Sequence, residues 1–248
     1  MQPMSSASFP QLENMGEFGR LTGVLWDPQP AFRDIAARPR WWPPLVIVMA
    51  LSLVFTYSFT QHVGWERFMR QQFENNPRTQ NMDATARDQA MAQGARFAPI
   101  MGYVGILVGF PLMAVAAAGV FLLVFRTFMG AELTFRQSFA IYCYALVPLI
   151  ISSVMTLAVL FLKDPPEFDL QYPTPTNIGA FLDPLNTPKW LLSLGGSIDV
   201  FTFWTLALVA TGFSVASRKI SWGTSLACVL GTWCLYVLVK VGWAALFG

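Results

Sequence analysis

Apolar runs of roughly 20 residues or more recur along this chain, and that length is what a helix needs to cross the hydrocarbon core of a bilayer. The longest run is Phe97–Phe128, and others open at Pro43, Ser138, Ser197 and Trp222. A soluble core has no use for such runs. Composition agrees: 54% of the 248 residues are hydrophobic and 12% are charged, against about a quarter charged in soluble domains. The fold class that follows is all-α, a polytopic membrane helical bundle with five transmembrane helices.

Several function classes drop out at once. The net charge is +2 and the basic residues are scattered, so nothing tracks a phosphate backbone and no nucleic acid is expected as a partner. Cys143, Cys228 and Cys234 all fall inside apolar runs, where they read as small buried hydrophobes with no disulfide framework. His62 is the single histidine. Neither a zinc motif, a nucleophile elbow nor a Gly-rich phosphate loop is present. No catalytic, metal-binding or cofactor-binding residue is therefore assigned, and the chain is read as no enzyme.

Taken in order, residues 1–20 form a flexible polar tail and residues 21–248 one membrane domain. Asp27 can cap a short helix that starts at Pro28 and stops at Pro39. Phe32, Ile35 and Ala36 share one face, with Arg33, Asp34 and Arg38 elsewhere, and Trp26, Trp41 and Trp42 flank it. Tryptophan favours the headgroup layer, so this segment reads as an interfacial helix lying on the membrane. The spans are expected at 43–62, 97–128, 138–162, 197–217 and 222–247. After the first, Trp65, Phe68, Met69, Gln72 and Phe73 make an apolar stripe that packs back on the bundle, and Asn75-Asn76-Pro77 breaks that helix. Gly105 and Gly109 make a Gly-x-x-x-Gly pair that permits close helix approach. The Pro-rich acidic stretch 163–196 is expected to be extended.

Two tight turns carry Arg126 with Arg136, and Arg218 with Lys219. The positive-inside rule places them in the cytoplasm, and the N-terminus with them. The five arginines between the first two spans run against that rule. The two turns also echo each other: Phe135-Arg-Gln-Ser138 and Trp222-Gly-Thr-Ser225 each open a span.

The order of these elements resembles the YIP domain family (Ypt-interacting protein) in its bacterial style. The matching segments are Leu25-Trp-Asp-Pro-Gln-Pro-Ala-Phe-Arg-Asp-Ile, Pro39-Arg-Trp-Trp-Pro-Pro, Gly130-Ala-Glu-Leu-Thr-Phe-Arg-Gln-Ser-Phe-Ala with Tyr144-Ala-Leu-Val-Pro148, and Ser197-Ile-Asp-Val-Phe-Thr-Phe-Trp. The resemblance implies a five-span protein of the bacterial inner (plasma) membrane. Eukaryotic relatives act in trafficking and bind prenylated Rab-type GTPases or reticulon-like partners. Their Asp-Leu-Tyr-Gly-Pro segment is absent here, so GTPase binding does not carry over.

Two readings of function remain. In the first the protein is a non-enzymatic adaptor or organiser of membrane partners, or self-associates, with Arg136, Arg218 and Lys219 on its cytoplasmic rim; those charges equally serve as a topology signal. In the second it is a small-solute or ion transporter. There Asp199 is an intramembrane carboxylate partnered by Lys240, and spans broken at Pro148 and Pro111 line a path with freed carbonyls. The plainer alternatives are that Asp199 caps its helix, Lys240 snorkels and the prolines only shape the bundle. The lipid bilayer is a partner in either case.

Overall fold

A computed structural model describes residues 14–74, 79, 82–165, 167–184, 186–217 and 219–247. Residues 1–13 of the expected tail, the Asn75-Asn76-Pro77 break and Arg218 lie outside them. The described chain is helical throughout its ordered elements, with an isolated antiparallel bridge between Asn177 and Asp199. The helices are α1 (Glu17–Trp26), α2 (Pro28–Ala37), α3 (Trp42–His62) and α4 (Trp65–Glu74). Next come α5 (Ala84–Val104) and α6 (Phe110–Met129), joined through a π-helical turn at Gly105–Gly109. After them lie α7 (Phe135–Ala145), α8 (Val147–Leu162), α9 (Lys189–Ser197), α10 (Val200–Ala216) and α11 (Trp222–Phe247).

Among the described residues, four helical runs are long and apolar enough to cross a membrane: Trp42–His62, Ala84–Met129, Phe135–Leu162 and Trp222–Phe247. The fifth apolar segment, Val200–Ala216, has 17 residues, about 25 Å at the α-helical rise and so at the short limit for a span. It is also the most enclosed, with Leu208, Val209, Ala210 and Phe213 all buried. The five segments alternate between a turn end, which carries the two short basic turns, and a loop end, which carries the long connections.

The second span departs from expectation. The polar stretch before it and the span itself form one helical run of 46 residues, about 69 Å long at 1.5 Å per residue. That exceeds any hydrocarbon core, so the run projects beyond the bilayer at the loop end. There α4 packs along it with its apolar stripe half-buried, and Trp65 and Phe68 stand edge-on to Phe59. Pro111 offers no N–H to the carbonyl of Leu107, and the helix widens into the π turn just before it. The Gly105/Gly109 pair sits on that turn, and its glycine faces meet only open space among the described residues.

The third span is broken at Leu146, two residues before Pro148, which occupies the first turn of α8. The long loop is more structured than its prolines suggest. Phe168 is buried beneath Phe55 and Phe59, a 3₁₀ turn spans Ile178–Phe181, and α9 fills the residues assigned to the loop's end.

The two hairpins that echo each other in sequence also agree in structure. Thr134 caps α7 by accepting the Gln137 amide at 3.3 Å, and Ser221 accepts the Thr224 amide at 3.2 Å. The fourth residue of each following helix, Ser138 or Ser225, is fully buried. Each donates its hydroxyl at 2.7 Å to a carbonyl of the preceding helix, that of Ala118 or Ala210. Small hydroxylated residues allow the close approach and satisfy the hydroxyl in one contact.

Candidate functional site

The N-terminal segment corrects the first expectation. It is a helical hairpin: α1 begins at Glu17, inside what reads as tail, and α2 follows after Asp27. Asp27 makes no side-chain cap bond. The face carrying Phe32, Ile35 and Ala31 is fully buried, packed on α10 and α7 and not on lipid. Gly212 makes this possible. A Cβ there would stand 2.3 Å from Ile141 Cγ2 and 3.1 Å from the Phe32 ring, so only glycine admits α7 so close to α10 with Phe32 of α2 packed over the same spot.

Burial of the hairpin takes charged groups with it. Arg20 is 2% exposed and Asp34 1% exposed, although sequence periodicity sets Asp34 off the apolar face. Arg20 Nε donates to Asp34 Oδ2 at 2.6 Å, and Arg38 pairs with the other carboxylate oxygen. Glu17 Oε1 receives Arg20 at 3.3 Å and Arg40 at 3.2 Å. Its second oxygen accepts the hydroxyl of Tyr144, a buried residue of α7 adjacent to the break. Tyr144 lies nine residues past the start of α7, about 13 Å along the helix axis. The network thus ties the hairpin to the bundle well below the turn end. Leaving one member buried without its partner is strongly unfavourable.

Bonds to backbone carbonyls complete the attachment. Gln137 Nε2 donates to the Ala36 carbonyl at 3.0 Å, and Arg136 Nε to the Pro39 carbonyl at 3.1 Å. The first carbonyl belongs to the last turn of α2, where helix geometry leaves acceptors open, and the second lies just beyond it. Across the turn end Lys219 Nζ donates to Glu132 at 2.8 Å. Lys219 holds the Glu132 carboxyl below its ordinary value, through that bond first and its charge second. Arg33, Arg40, Arg126, Arg136 and Lys219 remain exposed on this end.

The loop end holds the other sequence-selected residues, and it does not pair them. Asp199 caps α10: its Oδ1 accepts the Thr202 amide at 3.0 Å. Lys240 reaches Ser197 Oγ at 2.9 Å and the Ser193 carbonyl at 3.5 Å. The expected Asp199–Lys240 ion pair is absent among the described contacts. Pro148 is buried with Leu146 and Val147, and the hairpin packs over this break. Tyr172, with its hydroxyl 3.5 Å from the Leu192 carbonyl, fills the space above Gly179 and Gly196. Burial foremost raises its hydroxyl above the ordinary tyrosine value.

Sequence reading missed Glu17, Arg20 and Asp34. One signal was available: Glu17, Arg20, Leu21 and Val24 follow the i, i+3, i+4, i+7 pattern of one helical face, which places Arg20 on the same stripe as the apolar residues.

The family model of the Yip1 domain matches residues 22–244 of this chain. No protein of curated function and no solved structure matches it.

Proposed function

We propose, from the premise that this chain belongs to the Yip1 domain family, that it is a non-enzymatic adaptor or organiser whose docking surface is the turn end. It is an integral membrane protein, and its apolar helices place it in the lipid bilayer. The observation that carries the reading is the hairpin's attachment. A buried ion network joins α1 to α2, two carbonyl clamps hold α2 to α7, and apolar packing seats it on α10, so the exposed basic side chains stand on one ordered end. A surface fixed before binding loses less conformational freedom when a partner docks. Its charge suits an acidic segment of a neighbouring membrane protein. The positive-inside rule makes this end cytoplasmic in a bacterial plasma membrane.

Transport has less support. Asp199 is engaged as a helix cap, Lys240 is bound to Ser197 and a carbonyl, and the broken third span is covered by the hairpin.

Affinity purification from native membranes in mild detergent, quantified by mass spectrometry against an unrelated five-span protein, tests the proposal. The expected result is one partner, or a second copy, retained at near-equal amount. Reversing Arg33 and Arg126 to glutamate weakens that retention while the melting temperature holds. Recovery of the protein with lipid alone overturns the adaptor reading.

A further inference from the structure

At the loop end the chain makes a small two-sided pocket that the adaptor reading leaves unused. Ile178 donates its amide to the Ile198 carbonyl at 3.2 Å, and Val200 to the Thr176 carbonyl at 3.1 Å. This bridge holds the Ile178–Phe181 turn beside the first residues of α10. Between them lies an open pocket of about 240 Å³. Its walls are mostly apolar, from Ile178, Phe181, Ile198, Val200 and Phe203, and Asp199 is the ionisable residue in the lining.

Three features define what such a pocket can take. The first is its depth. Val200 and Phe203 belong to the first turn of an apolar membrane helix and are exposed, and Phe181 is 75% exposed, so the mouth opens where α10 enters lipid. The second is charge. Asp199 takes part in no ion pair among the described residues, and neither lysine nor arginine lines the pocket. Its cap bond uses Oδ1 alone. A carboxylate at a membrane boundary gains from a cation brought by a ligand. The third is size. About 240 Å³ is below the 300 Å³ or so where drug-sized sites begin, and suits a headgroup whose tails stay outside.

We propose that this pocket binds the primary ammonium headgroup of an aminophospholipid, phosphatidylethanolamine being the simplest. The ammonium donates to the open oxygen of Asp199. The glycerol and upper acyl carbons lie over Phe181, Val200 and Phe203. A primary ammonium offers N–H donors to the carboxylate, whereas a choline headgroup offers charge and no donor.

Asparagine caps helices about as well as aspartate, so Asp199→Asn removes the charge and leaves α10 its cap; Asp199→Ser does the same with a hydroxyl. The full chain is reconstituted in nanodiscs of phosphatidylglycerol with an equal share of either phosphatidylethanolamine or phosphatidylcholine, then released for native mass spectrometry. One phosphatidylethanolamine retained per chain, in preference to phosphatidylcholine, is expected. Both variants lose that preference by about tenfold, the value of one charge-assisted hydrogen bond, with unchanged melting. Phe203→Ala weakens retention of the lipid with Asp199 intact. Equal retention of the two lipids, undiminished retention in Asp199→Asn, or displacement by soluble ethanolamine at matched concentration overturns the proposal. None of these outcomes depends on a protein partner docking at the opposite end.

Discussion

At the turn end Glu17, Arg20, Asp34, Arg38 and Arg40 answer one another's charge in a single buried-to-surface network, whereas at the loop end Asp199 and Lys240 each settle for neutral partners. The contrast follows from what each end must hold together. The turn end joins a separate helical hairpin to the bundle, and charged side chains fix its position against competing packings of similar apolar surfaces. The loop end joins its segments through a helix cap, close glycine contacts and the Lys240–Ser197 bond. Charge in the first case sets the arrangement; in the second it is left for lipid or ligand.

The comparison breaks most visibly at Asp34. Asp34→Ala leaves the almost fully buried Arg20 with only the longer Glu17 contact, and destabilisation toward the lower end of about 3–5 kcal/mol is expected. Thermal unfolding in nanodiscs measures it. Loss of the double variant Arg20→Met with Asp34→Leu should be much smaller, since the uncompensated charge is gone.

Glycines sharpen the contrast at the next level. Gly212→Ala drives a Cβ toward Ile141 at 2.3 Å and Phe32 at 3.1 Å, and overpacking of this kind costs about 1–3 kcal/mol. The hairpin lifts, so α1 and α2 amides exchange faster with solvent. Gly179→Ala meets Tyr172 at 2.6 Å and the Gly196 backbone at 2.9 Å, an equally tight approach. Its effect is confined to the loop end: faster exchange appears in residues 172–196 and the hairpin stays protected. Equal loosening of both ends by either variant would contradict the division.

The smallest effect belongs to the exposed pair at the turn end. Lys219 lowers the folded-state value of Glu132. The pair's contribution is therefore complete above the ordinary glutamate value and is lost as pH falls through the depressed one. A carbon chemical-shift titration of labelled Glu132 should show protonation below the ordinary range, returning to that range in Lys219→Met. Melting at neutral pH should not respond, because so exposed a pair adds little.

Apolar helices were legible because lipid imposes length and apolarity with few exceptions, and four of the runs form helices long and apolar enough to cross a membrane among the described residues, with Val200–Ala216 a shorter fifth. The Thr134 and Ser221 turns were legible as openings of spans. The hairpin was harder. Phe32, Ile35 and Ala36 on one face suit an interfacial helix and a core helix equally, and only Gly212, more than 170 residues later, decides between them. Periodicity sorted Asp34 with the solvated charges because its partner Arg20 sits in a different helix. Asp199 was recognisable as a cap, and its supposed partner Lys240 was not, since depth along a span does not give azimuth around it. Gly105 and Gly109 permitted a close approach that no helix among the described residues makes on their glycine faces.

The central claim is that the N-terminal hairpin is a core element and the basic face depends on it. Phe32→Ala tests this most directly, with unfolding and partner retention read on the same nanodisc preparation. The account predicts a loss of about 3–5 kcal/mol for so deeply buried a phenylalanine, and partner retention falling with it. An unchanged melting temperature would place the Phe32 side chain in lipid and return α2 to the membrane surface.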